Sequence, residues 1–207
     1  SVCRDFLEPS TASVIHSHLE LRPDCLSFDL SNACLGMMNA INVAGQMILS
    51  GSIESALIVT GENATPLITK TIETLLADES LTRKSIKKYF ANFTIGSAGV
   101  ALVISKKQEG HPHFINSISL SDTKAHTLCQ GSGGMDGLVM ETDSEELMLR
   151  GVELAKKNWN QFCKLSNKSD WDHYICHQVG IHHQMHLYKE LKMNIEKDYS
   201  SFKTYGN

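Results

Sequence analysis

The 207-residue chain has no pair of cysteines at C-x-x-C spacing, no apolar run long enough to cross a bilayer, and no surplus of positive charge. Each absence removes a class of function. The six cysteines (Cys3, Cys25, Cys34, Cys129, Cys163 and Cys176) are widely scattered and no signal-like opening precedes them, so a disulfide scaffold is not expected and the expected compartment is a reducing, cytoplasmic one. The longest apolar stretches, such as ALIVTG and GVALVIS, are only strand-length, so no membrane span is expected. A formal net charge of -4 offers nucleic acid no electrostatic footing. The one basic run, RKSIKK at 83–88, reads as a solvated helix end.

What is present fits an α/β protein: 42% hydrophobic and 20% charged residues suffice for one good core or two small ones. Strands are expected at 26–30, 56–61, 99–105, 114–120 and 173–176, several of them apolar on both faces as buried strands are. Helices are expected at 34–50, closed by Gly51, at 145–165, where Leu147, Leu149, Val152, Leu154, Trp159 and Phe162 lie mostly on one face, and at 181–191. The polar KKQEGHP stretch at 106–112 marks a boundary between two halves, 1–106 and 107–207. Residues 126–140 hold four glycines, but no Lys-Ser or Lys-Thr follows them, so they read as an irregular excursion and not a phosphate loop.

The stretch SFDLSNACLG, 27–36, places Cys34 where a strand pattern hands over to a helix. A cysteine at a first helical turn lies near unpaired backbone N–H groups and the positive end of the helix dipole, which favour the thiolate. Small neighbours, Ala33 and Gly36, leave room for an acyl group. On these residues alone an inert buried cysteine is the leading reading, because free cysteines are more often buried and inert than catalytic. A second stretch, HYICHQVG at 173–180, delivers His177 from a short strand into a loop, where α/β proteins place chemistry. The last residue, Asn207, follows a glycine in KTYGN. Cys176 reads as buried with no role.

The order FDLSNACLG, VTGEN (59–63), IGSAGVALV (95–103), HQVG and YGN resembles the ketoacyl synthase III group of thiolase-fold condensing enzymes, and does so along nearly the whole chain. The resemblance implies a five-layered αβαβα fold of two similar halves, a homodimer, and a catalytic triad of Cys34, His177 and Asn207. The stretch CRDFLEPSTAS at 3–13, with ACLGMMNAINVAGQMI, is closest to the members that join two fatty acyl-CoA molecules head to head in olefin synthesis. Those members bring a glutamate to the site from the partner subunit, and Glu8 stands at that place. Read without the resemblance, Glu8 is a loop carboxylate before Pro9 or a helix-cap acceptor.

The implied activity is acyl transfer by Claisen condensation through a Cys34 thioester, with coenzyme A or phosphopantetheine (carrier-protein) thioesters as substrates and no tightly bound cofactor. Decarboxylative condensation with a malonyl carrier, acyl transfer to oxygen or nitrogen on the same fold, and a non-catalytic subunit are the alternatives. Where fatty-acid-initiating members carry an arginine five residues after the histidine, this chain has His182, which speaks against fatty-acid initiation. The chain also stops at Asn207, before the glycine-rich segment that supplies a second oxyanion N–H in the group, so an incomplete copy of the fold is expected.

Other features have plainer readings. His173, His177, His182, His183 and His186 crowd one stretch, yet no HExxH pattern joins them, so surface histidines are expected and no metal. Met37, Met38 and Met47 suit a flexible core or an acyl tunnel, and Phe90 and Phe93 suit the same region or the core.

Overall fold

A computed structural model describes residues 2–3, 8–134 and 137–206. It divides into two compact units, one of residues 1–63 and 97–115, the other of residues 64–96 and 116–207.

In the first unit, helix α1 (Thr11–His18) is followed by an unladdered stretch, a single 3-10 turn (Ala33–Leu35), helix α2 (Gly36–Leu49) and strand β1 (Ser55–Glu62). Strand β2 (Ala98–Ser105) returns antiparallel to β1, pairing Ser55 with Ser105 and Glu62 with Ala98. Both strands match the apolar runs that predicted them. Helix α2 packs on β1, burying Ala44, Ile48 and Ile58. The expectation of strands buried on both faces does not hold here, because Leu57 and Val59 are 41% and 39% exposed. They border a cleft of about 1020 Å³ that is also lined by Leu26, Phe28, Met37 and Met47.

No ladder forms at 26–30, where a strand was expected. Its alternating side chains satisfy the period of a strand, but strand structure also needs a backbone partner, and none is present among the described residues. Asp29 does bond, turning its carboxylate to the N–H groups of Thr11 (2.9 Å) and Ala12 (2.8 Å) at the start of α1. With Ser10 accepting from Ser13 N–H, three of the orphan donors of α1 are satisfied.

In the second unit, helix α3 (Thr65–Ala77), with Pro66 in its first turn, is followed by a 3-10 segment at Ser85–Thr94. Strands β3 (Cys129–Gly134) and β4 (Gly137–Thr142) form an antiparallel hairpin. This corrects the expected irregular excursion. Val139 and Thr142 are strong strand formers, and glycines oppose the apolar Leu138 and Met140. A side chain at Gly131 would begin 3.7 Å from Leu138 Cδ1 and 3.9 Å from Met140 Cβ, so the glycine strand lies against its partner's side chains. Asn92, fully buried, joins three elements by donating to Thr71 Oγ1 (2.9 Å) and to the Met140 carbonyl (3.0 Å). The basic run is not wholly solvated, since Lys88 pairs with Glu141 at 2.6 Å and Tyr89 donates to the same carboxylate oxygen. That pairing raises the Lys88 pKa and lowers that of Glu141.

Helix α4 (Ser144–Ser166) is capped by Asp143, which accepts from Glu146 N–H, and ends at Asn167 in a left-handed conformation (φ 48°). Helix α5 (Ile181–Leu191) packs on α4, and Lys156 and Glu190 join the two at 2.9 Å. Trp159, Phe162, Trp171, Tyr174 and Tyr188 form a chain of stacked, tilted and edge-to-face ring pairs, with centroids 5.7 to 6.1 Å apart. The expected strand at 173–176 shrinks to a single parallel bridge between Tyr174 and Asp198, and 114–120 is unladdered. A short helix α6 (Phe202–Tyr205) closes the described chain.

Candidate functional site

Cys34 lies in the 3-10 turn that enters α2, and its residue is exposed. Three features shape this entry. Asn32 precedes the turn and donates from Nδ2 to Asn39 Oδ1 at 2.6 Å, tying the entry to the first turn of α2. Leu35 N–H bonds to the Asn32 carbonyl at 2.9 Å. Ala33 holds φ at 42°, in the left-handed region that a residue with a Cβ occupies at a cost. The chain therefore bends sharply one residue before the thiol, and Cys34 stands at the positive end of α2. All six cysteines are unbridged.

Glu8 belongs to the same unit, is exposed, and joins Pro9 through a cis peptide bond. It does not cap α1, since Ser10 holds that position. Two other carboxylates hold its flanks. On the C-terminal side Asp29 grips Thr11 and Ala12, and on the N-terminal side both oxygens of Glu62 accept, at 2.6 Å each, from the N–H groups of Val2 and Cys3. Neither carboxylate was singled out as a support in the sequence. A lone Asp inside the apolar FDL run, and a Glu closing a strand, were the available signals.

His177 belongs to the second unit, one residue after Cys176 and directly before the turn that starts α5 at Gly180, whose φ of 151° favours glycine. Its ring keeps an exposed edge but is crowded enough that partial loss of water holds the imidazole below the ordinary 6.5. Burial lowers His183 as well, followed by the charges of His177 and His186. Cys176 is half-buried and bonded to Tyr188, with burial raising its thiol pKa. Asn207 lies outside the described residues, which end at Gly206. Gly206 crosses close to Gly96, where a Cβ would fall 2.1 Å from the Tyr205 carbonyl oxygen. The structure thus brings Gly96 and Gly206 together. Phe90 and Phe93 are 52% and 44% exposed. Among the described residues no group of three or more His, Cys, Asp or Glu could hold a metal ion.

Residues 28–123 match the family described as 3-oxoacyl-(acyl-carrier-protein) synthase III. The whole chain aligns at 31% identity with 61% of an acyl-CoA:acyl-CoA alkyltransferase from Xanthomonas campestris, and at 32% with 62% of one from Shewanella oneidensis. It superposes along its whole length on 60% of the crystal structure of cerulenin-bound OleA from Xanthomonas campestris, at 30% identity and a TM-score of 0.90. Along its whole length this chain is similar to members of the ketoacyl synthase III group.

Its fold is accordingly thiolase-like, and the chain spans about 60% of the length of these relatives. OleA has also been solved with lauric acid and lauroyl-CoA bound, and with a cysteine, a glutamate or a histidine substituted. The substituted glutamate precedes the substituted cysteine by the same number of positions as Glu8 precedes Cys34, and the histidine follows the cysteine one position sooner than His177 follows Cys34. Other ketoacyl synthase III relatives, such as one from Clostridium tetani at 26% identity, are named beta-ketoacyl-(acyl-carrier-protein) synthase III.

Two predictions arise from this geometry. Because Ala33 holds a left-handed conformation one residue before Cys34, Ala33→Val should lower stability by about 1–2 kcal/mol, since a branched Cβ is worse than a methyl at positive φ. The reactivity of the Cys34 thiol should fall with it, and Ala33→Gly should do neither. Denaturant midpoints and thiol-labelling rates check both outcomes. The second concerns pH. His177 and His183 have depressed folded-state values, so the unfolded chain binds more protons as pH falls below about 6.5. Their stability contribution is full above that value and is lost as pH falls through the folded values. A urea titration series from pH 8 to pH 5 should show the midpoint dropping below pH 6.5, by less in His183→Gln.

Proposed function

We propose that this chain is the core of an acyltransferase that condenses two fatty acyl-CoA molecules without decarboxylation. The observation that carries this reading is the spacing of Glu8 and Cys34, which equals that of the glutamate and cysteine substituted in OleA. Support comes also from Cys34 being exposed on a sharp bend at a helix start, where a thiolate is favoured.

In this reading the Cys34 thiolate attacks the carbonyl of one acyl-CoA. The C–S bond to coenzyme A breaks, the coenzyme leaves as its thiolate and takes a proton from the medium, and the acyl group stays on the Cys34 sulfur as a new thioester. A second acyl-CoA then loses an α-proton to the Glu8 carboxylate. His177 and Asn207 donate hydrogen bonds to the enolate oxygen, stabilising the charge as it develops. The α-carbon attacks the Cys34-bound acyl carbonyl, the sulfur leaves, and the proton held by Glu8 returns to the medium or the thiolate. The product is a β-ketoacyl-CoA. The residue division 1–106 and 107–207, a homodimer in which Glu8 serves the partner's thiol, and a cytoplasmic setting belong to the same proposal.

A second reading, decarboxylative condensation with a malonyl thioester, is favoured by the relatives named beta-ketoacyl-(acyl-carrier-protein) synthase III. The two separate in one experiment on the intact protein. It is incubated with a long-chain acyl-CoA alone or with a malonyl thioester added, and protein and products are weighed by mass spectrometry. An acyl adduct that disappears in Cys34→Ala, with β-keto product from acyl-CoA alone, is the expected result. Product only with the malonyl donor moves the assignment to the second reading. No adduct at all removes both.

A further inference from the structure

Gln178 is peptide-bonded to His177, and its side-chain amide is used on both ends. Its Oε1 accepts from Ser201 N–H at 2.9 Å, Phe202 N–H at 2.8 Å and Ser200 Oγ at 3.2 Å, while its Nε2 donates to the Tyr199 carbonyl at 3.1 Å. Four successive residues, 199–202, are thus fixed to one side chain. The same segment is held a residue earlier, where Asp198 accepts from Gln184 and Tyr188 of α5 and its neighbours bridge to Tyr174. Four residues beyond, Gly206 packs on Thr94 and Gly96, with a Cβ position only 3.1 Å from the Thr94 carbonyl oxygen. The backbone that runs into Asn207 is therefore clamped at its start and its end. Between these clamps, among the described residues, the Gln178 amide ties it to the turn that follows His177.

We propose that Gln178 is a positioning residue, setting the segment that bears Asn207 against the His177 turn so that both donors reach one enolate oxygen. The inference rests on the proposed roles of His177 and Asn207 and adds what aligns them. An amide suits this task because it both accepts and donates without charge, and a carboxylate beside His177 would disturb the imidazole. Misplacing one donor by about 1 Å costs on the order of 100-fold in rate.

The test splits the reaction of the intact protein into its halves. Gln178→Met keeps the side-chain length and removes all four hydrogen bonds. Cys34 acylation should stay within about two-fold of the parent while condensation falls about 100-fold. Gln178→Glu, which still accepts from Ser201 and Phe202, should recover part of that loss. In an Asn207→Ala background Gln178→Met should add little, because residues acting as one unit are not additive.

Equal loss in both halves makes Gln178 a fold residue and overturns the inference, as does undiminished condensation or full additivity with Asn207→Ala. If Asn207→Ala and His177→Ala themselves leave condensation intact, the reading of the site falls. If they stop it and Gln178→Met does not, only the inference falls. Acylation at Cys34 reports in each variant whether the protein has folded.

Discussion

Glu8→Ala protein is expected to form the Cys34 acyl adduct at the parental rate and to lose β-keto product from acyl-CoA alone by about 10²–10⁴-fold, the range a positioned base contributes. An unactivated acyl thioester gives up its α-proton only to a base, whereas malonyl substrates generate the same carbanion by losing carbon dioxide. Any activity with a malonyl donor should therefore survive the substitution. Glu8→Asp shortens the reach by one methylene and should fall between parent and alanine. The geometry makes the experiment clean: Glu8 makes no cap at α1, and the flanking backbone is held by Asp29 and Glu62 rather than by Glu8 itself. A parallel loss of adduct and product would mean that Glu8 supports the fold, and an unchanged product yield would remove it from the mechanism.

His177→Ala should leave acylation measurable and slow condensation by about 10²–10³-fold, the cost of one oxyanion donor. Burial favours the neutral ring, which still carries one N–H to donate. Condensation by the parent should therefore hold level as pH falls to about 6.5 and decline only below it. His177→Gln offers a neutral N–H donor with no titration, so its smaller residual rate should lack that decline. A His177→Gln profile that still bends near the histidine range would place the controlling group elsewhere, with His183 and Cys34 the next to examine.

Much of the fold was legible because its longest elements obey simple periods. The 3.6-residue repeat of Leu147 to Phe162 gave α4, and Ile181 to Leu191 was read to the residue. β1 and β2 followed from short apolar runs. The hairpin at 129–142 was hidden because its glycines carry no side-chain pattern, and its structure comes from the apolar residues of the other strand. The stretch at 26–30 erred the other way, with a side-chain period present and a backbone partner absent among the described residues. Of the proposed site, Cys34 and His177 stand out in the sequence through their chemistry and their place at element ends. Asp29, Glu62 and Gln178 do not, because each acts by bonding a backbone distant in sequence, which no local pattern records.

The pairing of β1 with β2 sets a clock on biosynthesis. Glu62 meets Ala98 only after the whole of 64–96, which belongs to the other unit, has been made. At ~5–20 residues per second, β1 emerges roughly two to seven seconds before its partner. During that interval Leu57 and Val59 are apolar side chains on an open strand edge, a template for pairing with neighbouring chains. Slowing translation across 64–96 lengthens this window, so the yield of soluble protein should depend on codon choice there more than within 144–166, whose helix closes on itself as it is made.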